Sequence, residues 1–146
     1  MAGGTSDIKN EAGVPLIEGF VESLTGSALV LRLPGTNYRP HLVASAALPV
    51  NTGSKVVGIV RCQARRIDVV AAGGRFVEPC FGRPRRIQGR VIGVSASANE
   101  VHVRAGFAVV ATPMAPQKAS DFEIGQMVSF DAEPGASFAP SAPAHH

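Results

Sequence analysis

Along most of the chain apolar and polar residues alternate at a period of two, as in Ile17-Glu18-Gly19-Phe20-Val21-Glu22 and Val101-His102-Val103-Arg104. That period sends successive side chains to opposite faces of a strand, whereas a helix needs apolar positions every three to four residues. Nine segments carry the strand pattern, as alternation or as short Val-rich blocks: LIEGFVESL, SALVLRL, SKVVGIVRC, RRIDVV, GRFVEP, RIQGRVIGV, NEVHVRAG, FAVVAT and QMVSFDAE. Gly, Pro, Asn and Ser separate them, and helical periodicity of useful length is absent. The pattern predicts an all-β protein.

The glycines add a second level of order. Laying LIEGFVESL on RIQGRVIGV puts Ile17 on Ile87, Gly19 on Gly89, Val21 on Val91 and Leu24 on Val94. Further glycines, Gly35 and Gly106, follow 16 and 17 residues later, and Gly53 and Gly125 a further 18 and 19, with Val56 then falling on Val128. A series of this kind predicts an internal repeat. The expectation is two tandem small β-barrels at 14–79 and 84–138, with a flexible N-terminus at 1–13, a basic linker at 80–85 and a disordered Pro/Ala/His tail at 139–146. A glycine within the first strand of each copy permits the sharp coiling that a small closed barrel requires. RRIDVV and GRFVEP would supply the closing strand of the first barrel. The second has less material, so it borrows a strand or stays partly open.

Three local expectations accompany this layout. LPGTNYRPHL, residues 33–42, has the composition of a tight hairpin turn, and the glycine spacing predicts no insertion there. VVAAGGRFV reads as a two-glycine hairpin between neighbouring strands. Ser120 is placed to cap a single turn that carries Phe122 and Ile124 inward.

With IEGFVESL and IQGRVIGV as coiled first strands, and FEIGQMV as the turn entering a late strand, the chain resembles the OB-fold and the TOBE-type barrels that often occur in pairs. The resemblance implies nucleic-acid binding on the second and third strands and adjacent loops, where basic residues track the backbone and aromatics stack bases. It directs attention to Arg32, Tyr38, Arg39 and His41 in the first copy, and to His102, Arg104 and Phe107 in the second.

Charge sharpens this expectation. The formal net charge is only +3, but Arg61, Arg65, Arg66, Arg75, Arg83, Arg85, Arg86 and Arg90 fall within residues 61–90, where Asp68 and Glu78 are the only acids. Acids gather instead toward both ends. An uneven distribution of this sort bears on partners rather than on fold. Arg61, Arg65, Arg66, Arg83, Arg85, Arg86 and Arg90 are therefore candidates for a polyanion-binding stripe, guanidinium forks being suited to phosphates. The alternative is an interbarrel junction in which such arginines pair with Glu18, Glu22 or Asp68. Aromatic residues make up 5% of the chain and Trp is absent, so stacking platforms can only be few.

Other chemistries find little footing. Cys62 and Cys80 have neither a disulfide framework nor a metal-ligand spacing, and buried free thiols are expected. His102 lies between two valines on a strand, which points it away from their face, toward solvent or the other barrel. His145 and His146 close the tail and could chelate adventitious metal. No GxSxG elbow or paired carboxylates suggest catalysis, so the chain reads as non-enzymatic, with no cofactor and no metal site. A cyclic-dinucleotide barrel would need a serine where Asp68-to-Gly73 has Val70. No apolar stretch is long enough to cross a bilayer and no secretory signal is recognisable, which makes a cytoplasmic location the default. The function expected is a tandem-barrel binding module, for nucleic acid or another polyanion. Protein assembly through exposed strand edges, including a homo-oligomer, and small-anion or metabolite binding between the barrels are the alternatives.

Overall fold

The computed structural model describes residues 8–48 and 50–144. Expectations for residues 1–7 and for His145 and His146 lie outside the described residues. In chain order the strands are β1 (Ile17–Thr25), β2 (Ala28–Arg32), β3 (Arg39–Ala44), β4 (Lys55–Ala64), β5 (Asp68–Val70), β6 (Phe76–Glu78), β7 (Phe81–Gly82), β8 (Arg86–Ser95), β9 (Glu100–Arg104), β10 (Ala108–Pro113), β11 (Met127–Asp131) and β12 (Ser137–Pro140). A 3-10 turn at Ala119–Asp121 is the only helical element among the described residues. The protein is all-β, as the alternation requires.

Five strands close into a barrel in the order β1-β2-β3-β12-β4, with β4 returning to β1. The strand between β3 and β4 is β12, from the end of the chain, parallel to β3 and antiparallel to β4. RRIDVV and GRFVEP therefore do not close this ring. Strand β4 serves two rings: Lys55–Gly58 pairs with β1, and Arg61–Ala64 runs parallel to β10. Strands β8, β9, β10, the end of β4 and β11 make the second ring. An Ala64–Ala132 bridge joins β4 to the end of β11, flanked by the Glu133 N–H donating to Gln63 O (2.8 Å) and the Arg65 N–H donating to Asp131 O (3.0 Å). RRIDVV continues this side as β5, paired with β11. Each half of the chain thus closes the ring of the other half.

Pairing registers coincide between the halves. Phe20 faces Arg32 and Val21 faces Leu31; Arg90 faces Arg104 and Val91 faces Val103. Both first strands carry a bulge at the same place, between Val21 and Ser23 and between Val91 and Gly93. Gly19 and Gly89 sit two residues before these bulges: a Cβ on Gly89 would lie 2.3 Å from the backbone oxygen of Arg104, whereas one on Gly19 would meet the Leu33 side chain at 3.0 Å.

Several boundaries differ from expectation. Residues 139 and 140, assigned to a disordered tail, belong to β12, and the Ser141 N–H donates to Val57 O. Alternating small residues and prolines hide this strand in the sequence, although Phe138 is wholly buried. Residues 8–13 form an arm held by a Lys9–Pro15 bridge and an Asn10 side chain that accepts from the Ala12 and Val14 N–H groups. VVAAGGRFV is not a hairpin, because β5 pairs with β11 while β6 pairs with β8. The 3-10 turn is capped by the Asp121 carboxylate on the Lys118 N–H rather than by Ser120, and it buries Phe122 but leaves Ile124 exposed. The first hairpin does contain an insertion. Leu33 pairs with Tyr38 across residues 34–37, whereas Ala105 pairs with Phe107 across Gly106 alone. Tyr38 is consequently the counterpart of Phe107, and His41 that of Val110.

One core cluster runs through both rings, including Val21, Leu29 and Leu31 from one half and Val91, Val103 and Phe130 from the other. These are the inward positions of the alternating strands. A smaller cluster of Leu16, Ile59 and Val110 lies on the outer face, with Ile8 of the arm and the adjoining Val14 packed against it.

Candidate nucleic-acid interface

The linker decides the geometry of the site. Proline at 79 and 84 and glycine at 82 break regular pairing, so Phe81–Gly82 makes only two pairs, parallel to β3. That short pairing sets Phe81 in register with Arg39, and the Arg39 N–H donates to Cys80 O at 2.7 Å. The Phe81 ring, 63% exposed, meets the exposed His41 edge-on with centroids 5.1 Å apart. Arg83 and Arg85 follow immediately, half-buried and exposed, and neither side chain makes an ion pair among the described residues. The linker's Phe81 is thereby brought beside Arg39 and His41, with Arg83 and Arg85 following it along the chain. Around the barrel from His41, Arg32 lies over the Phe20 ring at 4.8 Å, a cation–π contact between cross-strand neighbours.

The other arginines of the stripe are spread over both rings and engaged. Arg61 bonds Glu100 at 2.9 Å, Arg66 bonds Asp68 at 3.0 Å and Arg86 bonds Asp131 at 3.0 Å. Arg65 pairs with Glu133, whose hydrogen bond and charge raise the arginine's pKa further. Arg90 donates to Gly125 O at 2.6 Å and keeps its charge uncompensated by that bond. Glu18 and Glu22, expected partners of the central arginines, pair instead with Lys55 and Arg39. Asp68 does take an arginine, its near neighbour Arg66.

Tyr38 is half-buried rather than presented to solvent. Its ring packs edge-on against Phe107 at 5.4 Å and its Oη accepts the Val77 N–H at 3.2 Å. A Cβ on Gly106 would stand 2.2 Å from Tyr38 Oη, so the glycine makes room for the phenol. Phe107 is buried and Arg104 half-buried, so neither offers an open stacking face. His102 is buried as well, and its Nε2 has no partner. It does point away from the valine face, but the surface there is covered. Burial pushes its pKa down, Lys9 and Arg61 add to the effect, and Glu100 opposes it. Cys62 is buried, which pushes its thiol up to about 12, while Cys80 is exposed, against expectation.

No group of three or more His, Cys, Asp or Glu side chains able to hold a metal ion occurs among the described residues. No helix among them is long and apolar enough to cross a membrane. Among the described residues, strands β5, β6 and β7, two or three residues long, each pair with one neighbour only. Sequence reasoning passed over Phe81, although an aromatic interleaved with arginines in CFGRPRR was the available signal. The chain matches no family model, no curated protein and no solved structure.

Proposed function

We propose that the protein is a non-enzymatic module that binds single-stranded nucleic acid on the face where the linker meets the first barrel. The observation that carries the reading is the exposed Phe81 ring, set beside His41 and flanked by Arg39, Arg83 and Arg85. An exposed ring offers its face to an unpaired base, and stacking of this kind tolerates any sequence. The Arg83 and Arg85 guanidinium groups, which make no ion pair among the described residues, are available to phosphates, while Arg39 is engaged by Glu22 at 3.2 Å. Arg32 and Phe20 extend the same combination along β1 and β2. Arg61 is held by a largely buried carboxylate, whereas the ion pairs of Arg65, Arg66 and Arg86 are more exposed, contribute little, and can give up their carboxylate to a phosphate.

In this reading the two halves are copies of one OB-like unit, joined by mutual strand exchange. The coincident registers and bulges support it, as do Gly19 and Gly89 at matching places. Binding is asymmetric because the counterparts of Arg39 and His41 in the second half are Ala108 and Val110, the latter buried.

The test is a gel-retardation and fluorescence-anisotropy titration with a labelled single-stranded oligonucleotide of mixed sequence at about 50 mM salt. Binding should weaken steeply as salt rises. Phe81→Ala should cost about 1–3 kcal/mol at any salt concentration, as expected for one stacked base. Replacing Arg83 and Arg85 by Glu should flatten the salt dependence. Absence of binding at low salt, or binding indifferent to all three substitutions, overturns the reading.

A further inference from the structure

A second site opens elsewhere, between the two rings. A cleft of about 390 Å³ is walled by β1, by both hairpins that follow the second strands, by β8 and by the N-terminal arm. Its volume falls within the range of sites for small organic ligands. Ile17, Leu33, Ile92 and Phe107 give it apolar walls.

Its charged groups are of one dominant sign. Lys9 comes from the arm, Arg75 from the segment before β6 and Arg104 from the end of β9, three segments far apart in sequence. The single carboxylate in the lining, Glu18, lies 3.6 Å from the Lys55 ammonium and is directed to that partner. Neither Lys9 nor Arg75 makes an ion pair among the described residues. On the β8–β9 pair Arg104 stands in register with Arg90, whose guanidinium is directed to Gly125 O at 2.6 Å. The corresponding place in the first half has Phe20 opposite Arg32, where the aromatic ring accommodates the single cation.

We propose that this cleft binds a small amphipathic organic anion, an apolar or aromatic body carrying one carboxylate, sulfonate or phosphate. The body lies against Ile92 and Phe107, and the anionic group faces Lys9, Arg75 and Arg104. This site is independent of the nucleic-acid reading, since none of Phe81, Arg83 and Arg85 lines it.

The probe for the test is 1-anilinonaphthalene-8-sulfonate, with N-phenyl-1-naphthylamine as the neutral ligand of similar ring system. The full chain should bind the sulfonate saturably at one site, with fluorescence enhancement, and should bind it at least about tenfold more tightly than the neutral amine. Amide resonances of Leu33, Ile92 and Gly106 should shift during the titration. Arg75→Glu and Lys9→Glu both lie at exposed positions and should preserve the thermal midpoint. Each should weaken sulfonate binding about tenfold while leaving the neutral amine unchanged. Phe81→Ala should leave both ligands unaffected, which separates this result from the nucleic-acid titration. Equal affinity for the two ligands, shifts confined to other residues, or undiminished sulfonate binding in the Lys9→Glu, Arg75→Glu double variant overturns the proposal.

Discussion

His102 occupies a position that alternation marks as outward and that the fold nevertheless covers. Its cross-strand neighbour Val110 belongs to the outer apolar cluster beneath the arm, and the imidazole Nε2 is left without a partner. A buried, unpartnered imidazole disfavours its charged form, so its folded-state pKa lies below the ordinary value of 6.5. As pH falls below 6.5 the unfolded chain takes up this proton before the folded one does, and stability is lost until the folded pKa is passed. The second half's His102 stands where the first half has Val30. His102→Val should therefore match the wild type in chemical denaturation to within about 1 kcal/mol at pH 8, and become progressively more stable than it below pH 6.5. Parallel pH profiles for the two proteins would show that this imidazole is not held neutral by the fold.

Strand β12 shows what the alternation pattern can and cannot convey. The nine segments read as strands all contain strands in the fold, most of them because Val, Ile, Leu or Phe at alternating positions defines an inward face. The segment Ser137-Phe138-Ala139-Pro140 has only one large apolar residue, and its strand conformation is dictated by the gap between β3 and β4 that it fills. Gly58 leaves the space it needs: a Cβ there would meet Ala139 O at 2.2 Å and the Phe138 ring at 2.6 Å. Such complementarity between positions 80 residues apart has no periodic trace. The linker face escaped notice for the same reason, since only the pairing of β7 with β3 brings Phe81 to His41. If β12 is integral to the barrel, Phe138→Ala should lower unfolding free energy by about 3–5 kcal/mol in a urea titration, the usual cost of emptying a core aromatic site. A change under about 1 kcal/mol would mean that the ring closes without it.

Mutual exchange of closing strands has a consequence for how the protein unfolds. Two barrels joined by a linker alone could melt separately, each with its own midpoint. Here β4 is a single strand with its first part in one ring and its last part in the other, β12 closes the first ring from beyond the second, and one core cluster includes residues from both. Neither ring can open without removing a strand from its partner, so the two should unfold as one cooperative unit. Val21→Ala and Val91→Ala test this, because each removes buried methyl groups from a different ring, at positions 1% and 0% exposed. Each substitution should cost about 2 kcal/mol and shift one common thermal transition down by roughly 6 °C, with far-ultraviolet dichroism and calorimetry giving the same midpoint. A biphasic melt in which only the substituted half moves would show that the rings are thermodynamically separate, and that strand exchange joins them without coupling them.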